Sequence, residues 1–317
     1  MEAQQKVGPY VLVRKLGEGG MGFVHLARDE SGRQVALKMM RPELAAREEF
    51  RRRFGKEAEA ARRVARFCTA PVLDAGFDAG TAYLVTEFVD GPDLSGVIQR
   101  HGPMTGSNLE ALAVGVATAL AAIHQAGVVH RDLKPSNVLL SPVGPRVIDF
   151  GIAQLADTAE LPFTVARSMG TPAYMSPEQA KGEPVTPAGD IFAWGALMAY
   201  AGTGRPPFGT GGVAEVVYRV INHAPVLDGL DERIRALAER ALDKDPARRP
   251  TAQQLLDRLL GRTEVPVDTA TQMVSETWTP VLRPAQGTHA AAPPSPGHAG
   301  PGHAGASRAG GAAAAAQ

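Results

Sequence analysis

Along this chain the hydrophobic periodicity changes once, near residue 92, from a repeat of two residues to a repeat of three and four. That change confines the fold to a sheet-rich lobe followed by a larger helical one. Runs of period two occupy Tyr10 to Val13, Phe23 to Ala27, Val35 to Met39 and Ala82 to Phe88, and Ser31-Gly32 and Ala79-Gly80 supply turns. This is the pattern of an antiparallel sheet. One helix is predicted to interrupt it, from Pro42 to about Arg66, with a proline in its first turn and apolar residues at Phe50, Phe54, Ala58, Ala61 and Val64. Helical spacing then predicts segments at Asp93–Arg100, Ser107–Gln125, Gly189–Ala201, Val213–Asn222, Asp231–Leu242 and Thr251–Leu260. The expected class is α+β in two lobes, an antiparallel-sheet lobe with one helix at 10–89 and a mostly helical lobe at 90–262, after a short extension at 1–9.

Beyond Arg262 the composition shifts to Ala, Pro, Gly, Ser and Thr, with Pro-Gly-His-Ala-Gly at 296–300 and again at 301–305 and an alanine run at 312–316. Such a segment buries too little apolar surface to offset its ordering entropy, so 263–317 is expected to be disordered. His289, His298 and His303 have no preformed metal geometry on a flexible chain and read as solvated residues. The length of 317 residues leaves room for a sizeable core and a cleft. Lys plus Arg equals Asp plus Glu at 33 each, which removes the case for a broadly basic nucleic-acid binder. Cys68 is the sole cysteine and has no internal disulfide partner, and the N-terminus lacks a basic-then-apolar leader. A reducing, cytoplasmic setting is expected. The longest apolar run, Ala111 to Ile123, is shorter than the roughly 20 residues a spanning helix needs and reads as a buried helix rather than a membrane segment.

Gly17-Glu18-Gly19-Gly20-Met21-Gly22, with Val24 after it, is a glycine-rich loop whose missing side chains let backbone N–H groups close over phosphates. A dinucleotide-binding loop would enter a helix after its last glycine, whereas Phe23 to Ala27 continues as a strand. The context favours a hairpin that lids a nucleotide, with a plain glycine-rich turn as the lesser reading of the loop alone. Val35-Ala36-Leu37-Lys38 then sets one lysine in an apolar strand, where its ammonium needs an anionic partner. Two glutamates on the next helix compete for it. At about 100° per residue, Glu57 shares the inward face of Phe50 and Phe54 while Glu59 falls on the far side, so Glu57 is the expected partner. Glu59 and the bases Arg51, Arg52, Arg53, Lys56, Arg62 and Arg63 read as a solvated face.

The most specific stretch is His130-Arg131-Asp132-Leu133-Lys134-Pro135-Ser136-Asn137, followed twelve residues after Asn137 by Asp149-Phe150-Gly151. With both clusters in order, the chain resembles the protein kinase family over nearly all of residues 10–260. That resemblance implies the two-lobed protein-kinase fold and an ATP-dependent phosphotransferase. It implies that Asp132 orients an acceptor hydroxyl and takes its proton, and that Lys38, paired with Glu57, holds the nucleotide. Asn137 and Asp149 would hold Mg2+, with Mn2+ as a substitute, because hard oxygens suit either ion. Lys134 resembles the lysine that serine/threonine kinases, unlike most tyrosine kinases, place on the transferred phosphate. By the same resemblance, adenine is expected against the backbone of Glu87 and Val89 in Thr86-Glu87-Phe88-Val89, sandwiched by Leu16, Val24, Ala36 and Leu139. Glu178 of Ser176-Pro177-Glu178 with Arg249 as ion-pair partner, and Asp190 as support of the catalytic loop, are the structural counterparts.

Gly19-Gly20-Met21-Gly22 and Tyr174-Met175-Ser176-Pro177-Glu178-Gln179-Ala180 resemble bacterial, eukaryotic-like (Hanks-type) serine/threonine kinases, and Phe67-Cys68-Thr69-Ala70 with Val72-Leu73-Asp74 resembles actinobacterial members. Ser176 stands where alanine is usual and His25 where an aromatic is common. Neither touches a catalytic role. Between Asp149 and Glu178 lie Thr158, Thr164, Ser168 and Thr171. In such kinases the equivalent of Arg131 pairs with a phosphate on this loop, so autophosphorylation is expected, at Thr164 first and Ser168 second. Thr171 resembles the threonine that packs under the substrate. Relatives often dimerise through the small lobe, which would let one copy phosphorylate another. A pseudokinase scaffold is disfavoured because Lys38, Asp132, Asn137, Asp149 and Gly151 are all present. A small-molecule phosphotransferase is disfavoured by the Ser-Pro-Glu segment and the long peptide-facing loop, so protein substrates and ATP are the expected partners.

Overall fold

The computed structural model describes residues 5–19, 22–65, 68–150, 172–262 and 264–280. The first lobe is built on strands β1 (Lys6–Val7), β2 (Tyr10–Gly19), β3 (Gly22–Arg28), β4 (Gln34–Met40), β5 (Val72–Asp78) and β6 (Thr81–Glu87). They form one antiparallel sheet in the order β1-β2-β3-β4-β6-β5. Alternation decides the faces: Val35 and Leu37 pack with Tyr10, Ala27, Tyr83 and Val85 in one small cluster. Lys38, out of step with them, is paired across the sheet with Val24 and Leu84 and joins the cleft.

Two helices cross this lobe, α1 (Pro42–Ala45) and α2 (Glu48–Arg62), where the sequence predicted one. The chain leaves helical geometry at Arg47, with φ −80° and ψ 125°. Neither glycine nor proline marks that break, so periodicity ran through it. Phe50, Phe54, Ala58 and Ala61 form the buried stripe of α2, and Phe50 and Phe54 stack at 5.6 Å.

The second lobe opens with α3 (Leu94–His101) and α4 (Gly106–Gln125) and a hairpin of β7 (Val138–Ser141) and β8 (Gly144–Val147). It continues with α5 (Pro177–Ala180), α6 (Pro187–Thr203), α7 (Val213–Asn222), α8 (Glu232–Ala241), α9 (Ala252–Leu260) and α10 (Val267–Thr277). Helices α4 and α6 are buried almost all round and carry the centre of the core, including Leu112, Leu120, Ile123, Phe192 and Trp194. Trp194 also spends its indole N–H on the Ala113 carbonyl at 3.2 Å, so the two helices are tied by a hydrogen bond as well as by packing. Among the described residues α4 alone is long and apolar enough to cross a membrane, but it lies beneath α6, α9, α10 and the β7–β8 hairpin as a core helix. Proline at the start of α6 and a left-handed Gly204 at its end, φ 73°, set its bounds.

The expected disorder from residue 263 onward is corrected over 264–280. Ala270, Thr271, Val274 and Trp278 recur at helical spacing and are buried, so α10 is part of the folded body. The composition of the whole tail hid that stripe. Residues 281–317, with His289, His298 and His303, lie outside the described residues.

Candidate active site

The loop between α4 and β7 is held by one buried carboxylate. Asp190, in the first turn of α6, accepts the backbone N–H of His130 at 2.8 Å and that of Arg131 at 2.7 Å, and contacts His124 Nε2 at 2.8 Å. Arg131 sits at φ 68°, a left-handed conformation costing a non-glycine residue on the order of 1–3 kcal/mol, and these bonds hold it there. Gln179 Nε2 adds a bond to the Arg131 carbonyl at 2.9 Å. The buried His130 ring accepts from Asp132 N through Nδ1 at 3.3 Å, which leaves Nε2 to donate to the Ile148 carbonyl at 3.1 Å. The His130–Asn137 loop and the strand leading to Asp149 are thereby one unit. His124 and Gln179 were not singled out from sequence. Nothing in their spacing distinguishes them from other polar residues near the loop.

Within that unit Lys134 Nζ lies 2.7 Å from Asp132 Oδ2. Asn137 Nδ2 donates to the Asp132 carbonyl at 2.7 Å and to Oδ2 at 3.2 Å. Asp149, at φ 61°, places Oδ2 3.0 Å from Lys38 Nζ across 111 residues of chain. Burial works against the Asp149 charge, but Lys38, with His130 and Lys134 adding to it, outweighs that, so the carboxyl titrates below its ordinary range. Phe150 is buried with its ring 6.4 Å from His130. Gly151 lies outside the described residues, as do Thr158, Thr164, Ser168 and Thr171.

Leu16, Gly17, Glu18, Gly19, Gly22, Val24, Ala36 and Lys38 line one side of a cleft of about 700 Å³. Glu87, Val89, Asp132, Lys134, Asn137, Leu139 and Asp149 line the rest. Gly20 and Met21 lie outside the described residues. The glycines are there for different reasons. A Cβ on Gly22 would stand 1.8 Å from the Met39 carbonyl oxygen, so strand packing demands that glycine, while a Cβ on Gly17 or Gly19 would meet no protein atom within 4 Å. Glu18 ties the hairpin down through Lys15 at 2.8 Å and Arg41 at 3.1 Å. The Glu87 side chain, unremarked in the sequence, reaches Arg146 of the second lobe at 3.0 Å and Arg33 of the first at 3.6 Å.

Glu57 is the correction. Lys38 is paired with Asp149, and Glu57 Oε2 is buried with no hydrogen-bond partner. Burial raises the Glu57 pKa above the ordinary range, and the charges of Arg131 and Arg53 offset that only in part. Helical periodicity chose the right face, since Glu57 is half-buried and Glu59 exposed. It said nothing about which cation the side chain would reach, because that depends on where the whole helix stands relative to the sheet.

A glycine-rich lid over a cleft, a lysine bonded to a carboxylate, and an Asp-Lys-Asn cluster beneath them define a nucleotide-dependent phosphotransferase domain of two lobes. Comparison with known proteins points to the same class. The sequence profile of the protein kinase domain matches residues 10–259. The "Probable serine/threonine-protein kinase PkwA" of Thermomonospora curvata is 45% identical over 254 residues, 80% of this chain and 34% of that protein. The serine/threonine-protein kinase AfsK of Streptomyces coelicolor is 46% identical over 256 residues, again 80% of this chain and 32% of the relative. Among solved structures, the PknI kinase domain of Mycobacterium tuberculosis superposes with a TM-score of 0.65 at 28% identity, covering 82% of this chain and 98% of that one. This chain belongs to the protein kinase family, in its bacterial Hanks-type serine/threonine branch, and spans about a third of the length of those two curated relatives. Membership implies the use of ATP and a divalent metal.

Proposed function

We propose that this chain transfers the γ-phosphoryl group of Mg2+-bound ATP to serine and threonine hydroxyls of proteins, its own residues 151–171 among them, in bacterial cytoplasmic signalling. The supporting observation is the convergence of Lys38, Asp132, Lys134, Asn137 and Asp149 on one cleft from segments far apart in sequence. The residues fit the ligands. Gly17 and Gly19 present bare backbone where side chains would find no protein neighbour, as a phosphate cradle requires. Asn137 spends its amide nitrogen on Asp132 and keeps its carbonyl oxygen, while Asp149 keeps the oxygen that Lys38 does not use. Among the described residues no three His, Cys, Asp or Glu side chains gather into an all-protein metal cage. Mg2+ suits that arrangement, since it commonly takes one or two protein oxygens and completes its shell with water and substrate phosphates. Mn2+ can take the same oxygens.

When bound, the metal neutralises the charge of the phosphates. The protein's own part is placement. Asp132 receives the proton of the acceptor hydroxyl, and Lys134, 2.7 Å from it, puts a positive charge beside the incoming phosphoryl group. Glu87 and Val89 offer backbone groups to adenine, with Leu16, Val24, Ala36 and Leu139 around it. Thr164 is the favoured loop acceptor, reached in trans through a small-lobe homodimer. A phosphate-transfer assay on generic protein substrates tests the reading. Asp132→Asn should lower turnover by about 10²- to 10⁴-fold and leave Mg2+·ATP binding intact. An Asn variant as active as the parent, or a parent that does not bind nucleotide, removes it.

A further inference from the structure

Helix α10 lies beyond the residues that the kinase profile covers, yet it packs along α4 and turns a buried side toward two places that serve the site. One is the turn of the β7–β8 hairpin. Trp278 Nε1 donates to the Ser141 carbonyl at 3.0 Å, and Val274 Cγ1 stands so close to Gly144 that a Cβ there would come within 3.1 Å of it. The other is segment 68–70, through which α2 passes into β5. There Thr271 Oγ1 and Cys68 Sγ share a hydrogen bond at 3.9 Å.

These two places are joined to each other and to the chemistry. Val147 N donates to the Cys68 carbonyl at 2.8 Å, and Ala70 N to the Val147 carbonyl at 3.1 Å. Strand β7 begins directly after Asn137, β8 ends two residues before Asp149, and Ile148 N donates to the Asn137 carbonyl at 3.0 Å. A hairpin of two short strands is marginal alone and takes its position from what it packs against. Here α4 packs on β8, Leu140 N donates to the Pro92 carbonyl at 2.8 Å, and α10 with Trp278 closes over the turn between the strands, itself pinned at both ends. Val265 N donates to Asp257 Oδ1 at 3.1 Å before the helix, and Thr279 N to Asn108 Oδ1 at 3.2 Å after it.

We propose that α10 is a strap for phosphoryl transfer, with Trp278 and Thr271 as positioning residues. They hold the hairpin that Asn137 and Asp149 flank against segment 68–70, which follows the helix bearing Glu57. The inference rests on the kinase reading above, and its test separates the two. In the full chain, Trp278→Phe keeps a ring and removes the N–H donor. Without nucleotide, hydrogen exchange at Val147 and Ile148 should quicken while amides of α6 keep their protection. By calorimetry, Mg2+·ADP affinity should fall about fivefold, as expected for one hydrogen bond lost. Trp278→Ala should weaken it by about tenfold or more, the usual scale for residues that orient metal ligands, with KM for a protein substrate unchanged. Should the alanine variant fail to fold, Trp278→Phe and Thr271→Val carry the measurement. Uniformly faster exchange, or Trp278→Phe with unaltered Mg2+·ADP affinity, overturns the strap. A parent chain that does not bind Mg2+·ADP overturns the kinase reading instead, and the exchange comparison still decides whether α10 braces the hairpin.

Discussion

Glu178 and Glu57 are both carboxylates drawn out of water, one on α5 in the helical lobe and one on α2 in the other. Glu178 is answered. Arg249 meets it with two bonds of 2.7 and 2.8 Å, and the same guanidinium donates to the carbonyls of Asp243 at 2.8 Å, Ala188 at 2.9 Å and Lys244 at 3.3 Å. Burial works against the Glu178 charge, but those bonds outweigh it and hold its pKa below the ordinary range. Glu57, with an unpartnered Oε2, is shifted the other way. The segment that carries Asp132 is fixed from several sides, whereas Glu57 has a buried oxygen without a hydrogen-bond partner and the charges of Arg131 and Arg53 offset its burial only in part. If α2 shifts, that Glu57 oxygen gives up no hydrogen bond, whereas parting Glu178 from Arg249 breaks two.

The largest expected break of this contrast comes from Arg249→Leu. Its side chain and that of Glu178 are 0% and 5% exposed, so an uncompensated buried carboxylate should cost about 3–5 kcal/mol in urea unfolding. The pair also predicts a pH dependence. Because the folded pKa of Glu178 is depressed below 4.5, the unfolded chain binds more protons in acid; the pair's stabilisation is complete above about pH 4.5 and fades as pH falls through the folded value. The leucine variant should lose that acid-sensitive component. A cost under about 1 kcal/mol would mean that the pair does not anchor the lobe.

Asp190→Asn comes next. An amide nitrogen would face donors that now meet a carboxylate oxygen, costing about 2 kcal/mol. Turnover should fall by about a hundredfold, since Arg131 and the loop after it would shift. Turnover unchanged by this substitution would show that the loop is held by Gln179 and packing instead.

Glu57→Gln has the smallest effect and the opposite sign. Its folded pKa is raised, so the charged form is penalised as pH rises from 4.5 through that value and is not penalised below it. The variant should therefore melt slightly higher than the parent at pH 7 and the same near pH 4. A lower melting temperature at pH 7 would place Glu57 in a stabilising pair in solution and erase the contrast between the lobes.

By itself the sequence determined the two-lobed class and the order of a sheet lobe before a helical one. These are properties of local pattern: alternation sets the faces of β4, helical spacing puts Glu57 inward, and the order of the Asp132 and Asp149 clusters is read directly. Its failures share a cause. The break at Arg47 has no residue signature, and the stripe of α10 is masked by the tail's composition although Ala270, Thr271, Val274 and Trp278 carry it. Only the tertiary structure decided that Lys38 bonds Asp149, 111 residues away, that Asp190 also engages His124, and that Trp278 reaches Ser141. Which of several eligible side chains meets a given charge depends on how whole elements pack, and periodicity along one element carries no record of that.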